Sequence, residues 1–154
     1  MGTSFNLAQL LRIPFQALVT ELHERLAAAG FGDIRPIHTL IFAFVSSEGI
    51  RLHELVERMQ STKQNVNYLV NALEGMGYVE RVPDPVDGRG KIVRLTKRGE
   101  ANSLAGSTII QNIEQEWADQ LGEETMTQLR ALLEQLVVMV QQQSSMHAAT
   151  DSGE

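Results

Sequence analysis

Between Thr62 and Asn71 lie four uncharged hydrogen-bonding side chains, Gln64, Asn67, Tyr68 and Asn71, with Thr62 and Lys63 just ahead of them and Asn65 among them. If this stretch is helical, a rotation of about 100° per residue puts those four on one side, opposite Val66, Leu69, Val70 and Leu73. Asn and Gln can pair bidentately with adenine in a major groove, while a lysine reaches guanine or phosphate. The free amides and partial positive charge at a helix N-terminus also favour phosphate. A polar helix face alone is usually a solvated face, but such faces are generally built from Glu and Lys, and this one offers neutral amides. Further on, Arg81, Arg89, Lys91 and Arg94 flank or occupy the Pro-, Asp- and Gly-rich segment from Pro83 to Gly90. A hairpin tipped by Gly88, Arg89 and Gly90 suits a minor groove, where arginine reads width and negative potential. The plainer reading of that hairpin is a surface loop.

Other chemistry lacks the residues for it. With no cysteine among the 154 residues, disulfides, thiolate nucleophiles and cysteine-ligated metals are excluded. His23, His38, His53 and His147 stand apart, with no pair at the three- or four-residue spacing that favours metal ligation, so neither a metal nor another cofactor is expected. No glycine-rich phosphate loop or nucleophile motif is present, and an enzyme is not expected. Met1 to Gln9 shows no basic run followed by an apolar core, and no apolar stretch approaches the roughly 20 residues that span a bilayer, so the cytoplasm is the expected location and a membrane is not an expected partner.

The net charge of -6 argues against nucleic acid until its distribution is considered. From Arg58 to Arg98 the local balance is +4, which leaves -10 on the remainder. After Gly99 only Arg130 is basic. Opposite ends of the fold should therefore present opposite potentials.

The elements that must position these residues follow from periodicity. Leu7, Leu10, Leu11, Leu18, Leu22 and Leu26 predict an amphipathic helix ending at Gly30, kinked at Pro14. Asp33 is read as the cap of a second helix with Ile37, Leu40, Ile41, Phe44 and Val45 on its buried face, closed by Gly49. Leu52, Leu55, Val56 and Met59 give a short third helix, and Ser61 with Gln64 reads as a capping box opening the next near Thr62. Two short helices across a tight turn make a helix-turn-helix. Gly77 ends the second of them, strands are predicted at Tyr78–Val82 and Lys91–Leu95, and Thr96 caps a long helical region broken at Gly122.

The run Asp84-Pro85-Val86-Asp87-Gly88-Arg89-Gly90-Lys91, continuing to Leu95-Thr96-Lys97-Arg98-Gly99, resembles the wing signature of the MarR family of transcriptional regulators. Leu73-Glu74, Gly77-Tyr78-Val79 and Arg81 resemble that family's link from recognition helix to wing. The resemblance implies a mainly α fold with a small β-hairpin wing: a winged helix-turn-helix over residues 34–99 and a helical dimerisation region over 5–30 and 100–143, in a single domain with a flexible tail at 144–154. It implies that Thr62 to Asn71 is the recognition helix, that Arg89 is the minor-groove arginine, that Asp87 braces the wing by pairing with a nearby arginine, and that Lys91 and Arg94 contact or steer toward phosphate. Gly88 stands where many members have a second arginine, and His53 where Ser or Thr often caps the preceding helix.

The expected partners are double-stranded DNA and a second copy of the chain, because leucine-rich stripes on the terminal helices are more easily hidden by a C2 partner than within a thin monomer. The alternative is that they close an intramolecular core. The family often binds small aromatic or anionic effectors, and Arg35 with His38 suits a carboxylate or phenolate there. The plainer reading makes His38 a packing residue and Arg35 a surface charge. The competing function is a winged-helix protein-interaction module without an operator, favoured by the acidic total.

Overall fold

A computed structural model describes the chain from residue 4 to residue 151, with side chains to residue 143. It has two compact units, Met1–Gln111 and Asn112–Glu154. Among the described residues no helix is long and apolar enough to cross a membrane.

In the first unit, Asn6 and Gln9 satisfy each other's backbone amides at 2.9 and 3.0 Å and so open helix α1, Leu7–Leu26. The helix continues through Pro14 as one element. A π-type segment, Ala27–Phe31, follows, with Gly30 in the left-handed region at φ 98°. Helix α2, Pro36–Phe42, is capped at Arg35 and not at the expected Asp33, whose carboxylate is used elsewhere. Only seven residues long, α2 buries just His38 and Ile41, with Ile34 before it and Val45 after it also buried, while Ile37 and Leu40, expected on its buried face, are about half exposed.

A two-residue strand, β1 (Ile50–Arg51), leads into helix α3 (Leu52–Arg58), and helix α4 (Lys63–Gly75) follows. The cap of α4 is Thr62, whose hydroxyl accepts the Asn65 N–H at 3.1 Å; Ser61, one residue earlier than the true cap, instead receives a hydrogen bond from the Asn65 side chain at 2.9 Å. Val66, Leu69, Val70 and Leu73 are fully buried, one stripe of α4 facing the core. Burying each such leucine contributes roughly 1.5 to 3 kcal/mol relative to leaving it in water. Gly77 at φ 79° ends the turn, and strands β2 (Val79–Pro83) and β3 (Lys91–Leu95) pair antiparallel from Val79 opposite Leu95 to Pro83 opposite Lys91. Strand β1 lies on the other side of β3, with Ile50 opposite Val93, giving the order β1-β3-β2. The core of this unit joins Ile34, Ile41, Val45, Leu55, Tyr78, Val79 and Val93 to the α4 stripe.

Helix α5, Lys97–Leu121, begins in the first unit, where Thr96 Oγ accepts the Gly99 N–H at 3.1 Å, and runs into the second. In the second unit Gly122, at φ 95°, separates α5 from helix α6, Glu123–Asp151. Arg130 pairs with Glu114 across this corner, and the Gln115 amide bridges Asp119 at 3.0 Å and Glu123 at 2.8 Å. Along α6, Leu132, Leu133, Val137, Val138 and Val140 are 40% exposed or more. The expected tail at 144–154 coincides up to Asp151 with the last turns of α6, and residues 152–154 lie outside the described residues.

Candidate nucleic-acid interface

The outward face of α4 carries the residues its periodicity indicated, in unequal states. Gln64, Tyr68 and Asn71 are exposed, Tyr68 to 68%, and Lys63 and Asn65 stand at the open N-terminal turn. Asn67 is half-buried and its amide is used at both ends. Its Nδ2 donates to the Lys63 carbonyl at 3.0 Å and its Oδ1 accepts from Arg81 Nη2 at 3.3 Å. Arg81 also forms an ion pair with Glu74, whose other oxygen accepts the Arg81 backbone N–H at 3.1 Å. Arg81 therefore ties strand β2 to α4 and does not project as a free cation.

In the hairpin the bracing acid is Asp84 and not Asp87. Asp84 is buried; its Oδ2 accepts Arg51 Nε at 2.6 Å and its Oδ1 the Val86 N–H at 2.9 Å. The Arg51 bond chiefly, with the Val86 amide after it, holds the Asp84 carboxyl below its ordinary value of 3.8. Asp87 instead accepts the backbone N–H of Arg89 at 3.1 Å, which folds the tip as an Asx-type turn. Arg51 sits 33 residues before Asp84, on β1, so the wing is fastened to the helix-turn-helix by a contact that local sequence does not announce. Arg94 pairs with Glu80 across the two wing strands at 2.7 Å, both half-exposed. Arg89 and Lys91 are exposed and hold no ion pair among the described residues. A cleft of about 680 Å³ lies between α3, the start of α4 and the wing tip, lined by Leu52, Val56 and Val86 together with Lys63, Arg89 and Lys91.

The model of the MarR family matches residues 33–90, from the turn before α2 to the wing tip. The transcriptional regulator HosA of Escherichia coli O111:H- is 32% identical over 91 residues, covering 58% of this chain and 67% of that protein. The chain belongs to the MarR family. The exopolysaccharide II synthesis transcriptional activator ExpG of Rhizobium meliloti strain 1021 is 24% identical over 97 residues, 63% of this chain, and the match spans only half of ExpG's length. The fold is also that of a mutant of S. aureus MepR bound to oligodeoxyribonucleotide, at a TM-score of 0.60 and 23% identity over 89% of this chain and 99% of that one. The MarR family match thus contains α3, α4, β2 and the hairpin turn, with Lys63 and Arg89, and stops one residue short of Lys91.

Behind this MarR-family surface lies a knot that sequence reading missed. Tyr78 is fully buried between Phe31 and Phe42, and its hydroxyl donates to Asp33 at 2.5 Å. Arg98 lies 4.4 Å over the Tyr78 ring and reaches Asp33 at 3.0 Å and the Met76 carbonyl at 2.6 Å. Burial first, then the Asp33 bond, pushes the Tyr78 hydroxyl up to about 12, while that bond holds Asp33 down. The local pattern of Asp33 points to a helix cap, and nothing in it signals partners at 78 and 98. Arg35 and His38 are joined only through the Arg35 backbone: His38 is buried, its Nδ1 accepting the Arg35 N–H at 3.1 Å, while Arg35 is exposed. Burial first, then the Arg35 charge, lowers the His38 pKa from its ordinary value.

Proposed function

We propose that this protein is a transcriptional regulator that binds duplex DNA, α4 entering the major groove and the hairpin tip the flanking minor groove. The observation that carries the reading is an α4 face that exposes Gln64, Tyr68 and Asn71, on a helix whose first residue, Lys63, lines an open cleft together with Arg89 and Lys91 of the wing. Neutral amides supply base contacts, and cations without internal acids supply attraction to phosphate. The regulatory role of HosA and ExpG, and the oligodeoxyribonucleotide in the MepR complex, support the same assignment.

The acting form is a homodimer. Leu7, Leu10, Leu11, Ile13 and Phe15 on α1, and the Leu132 to Val140 row on α6, are apolar surface of a kind that an isolated soluble chain rarely leaves open. Two recognition helices about 34 Å apart then read a pseudo-palindrome. A small anionic effector near Arg35 and His38 has weaker support, because the His38 Nδ1 is already engaged. Titration of duplex binding with salt tests the main reading. About 6 to 10 phosphate contacts predict an affinity loss of roughly 10³- to 10⁵-fold between about 50 and 200 mM salt. Absence of duplex binding at low salt, or a flat titration, would reject it in favour of a protein-interaction module.

A further inference from the structure

We propose that Arg81 and Glu74 form a lock that withholds Asn67 from the base edges, so that Gln64, Tyr68 and Asn71 alone set the sequence preference of α4. The proposal rests on α4 being the element that reads DNA. Helical periodicity places Asn67 on the same face as the other three, yet the structure treats it differently: it is half-buried, whereas they are exposed. To read adenine bidentately an asparagine must turn both its amide oxygen and its amide nitrogen to the base edge. In Asn67 the oxygen accepts from the Arg81 guanidinium at 3.3 Å and the nitrogen donates to the Lys63 carbonyl at 3.0 Å. Turning outward would exchange two internal hydrogen bonds, one from a charged donor, for two at the base, leaving nothing over for discrimination.

The lock is stiff because Arg81 is itself held twice by one carboxylate. One Glu74 oxygen accepts the Arg81 backbone N–H at 3.1 Å, and the other takes a guanidinium nitrogen. The Arg81 side chain is only 18% exposed. Arg81 is thus a positioning residue: it acts on DNA through Asn67 and through the angle between β2 and α4, and it neutralises no phosphate. Asn71, one turn further along α4, has no such strap among the described residues and stays exposed.

Selection of binding sites from a randomised duplex library, with salt titrations on the selected duplex, tests this on the full chain. The variants are Asn67→Ala, Asn71→Ala, Arg81→Met, and Asn67→Ala combined with Arg81→Met. Asn71→Ala should lose preference at one base pair per half-site, by roughly 5- to 150-fold. Asn67→Ala should leave every position as it was. Arg81→Met keeps the apolar stem and frees the Asn67 oxygen; it should create a new preference for adenine at one position, absent from the double variant, with the salt slope of the wild type. A merely structural role for Arg81 would weaken all sequences alike and create no preference.

The lock is overturned if Asn67→Ala alone costs as much preference as Asn71→Ala, or if Arg81→Met lowers the salt slope by about one unit, the mark of a lost phosphate contact. Should Arg81→Met fail to fold, Glu74→Gln carries the same test, since it loosens the guanidinium while keeping the side chain's shape. An unchanged preference in Glu74→Gln would then overturn the lock. A wild type that binds no duplex at low salt refutes the DNA reading itself and is seen before any variant is compared.

Discussion

Where the wing is braced, Arg51 meets Asp84 at the foot of the hairpin turn, Arg81 meets Glu74 and Arg94 meets Glu80, and these pairs together are its base. Arg89 at the tip of that turn, and Lys91 where β3 leaves it, hold no ion pair among the described residues and together are the tip. The same residue type has opposite uses a few residues apart. A cation already facing a carboxylate brings no net charge to a phosphate and must give up its partner to do so. A cation without one releases a counterion when it docks. The local balance of +4 between Arg58 and Arg98 therefore overstates the charge offered by the base and understates the concentration at the tip and at Lys63. The base is the rigid part that holds a geometry, and the tip is the part that touches.

The largest test of that division uses two glycines. A Cβ on Gly99, at the base, would lie 2.0 Å from the Tyr78 carbonyl oxygen, and backbone cannot swing aside as a side-chain end can. Gly99→Ala should destabilise the fold by about 3 kcal/mol or prevent folding, as judged by denaturant unfolding. On Gly88, at the tip, a Cβ meets nothing within 4 Å, so Gly88→Ala should move stability by less than about 0.5 kcal/mol. Equal losses at both sites would erase the distinction between base and tip.

Next in size is the tip's own effect on binding. Arg89→Ala should leave stability unchanged and weaken operator binding by about 1 to 3 kcal/mol, measured by fluorescence anisotropy on a fixed duplex. An unchanged affinity would mean that the wing stays outside the groove. Lys91→Ala should weaken all sequences alike and lower the salt slope by about one. A loss confined to one operator position would instead make Lys91 a base reader.

Acid acts on the base. Because the Asp84 carboxyl is held below 3.8, its bracing is complete above that pH and is lost as pH falls through the lowered value. Amide exchange at Val86, whose N–H Asp84 accepts, should accelerate over that range before exchange at the Val93 amide in the core does. Simultaneous loss at both would show that the base does not open separately.

Much of this arrangement was legible in sequence because it is local. The periodicity from Val66 to Leu73 gave the buried stripe of α4, the Ser61–Gln64 pattern put its start within a residue although the cap is Thr62, and the Pro-, Asp- and Gly-rich turn gave a hairpin whose second strand has the expected bounds. What stayed hidden was carried by distant partners or by elements too short to show a period. Strand β1 has two residues, and pairing with β3 is its only signature. Asp84 and Asp87 occupy the same turn with the same chemistry, and only the arrival of Arg51 separates the brace from the local turn former. Asn67 lies on the correct face of the wheel, but Arg81, fourteen residues later, takes its oxygen. Ile37 and Leu40 fit a helical stripe that a seven-residue helix is too short to bury in full.

The smallest expected effect lies at Arg94, which the resemblance assigns to phosphate and the structure pairs with Glu80 at 2.7 Å. Both side chains are about 45% exposed, so water screens the pair, and cross-strand ion pairs of this kind contribute roughly 0 to 1 kcal/mol. If Arg94 belongs to the base in energy as well as in position, Arg94→Ala should shift stability by that little and leave the salt slope at its wild-type value. If instead Arg94 leaves Glu80 on contact with DNA, Arg94→Ala should lower the slope by about one and Glu80→Ala should strengthen binding, since the arginine would no longer have to be released. The Glu80 variant decides between them: a cation held back by its acid gains affinity when the acid is removed, whereas one that only fastens two strands gains none.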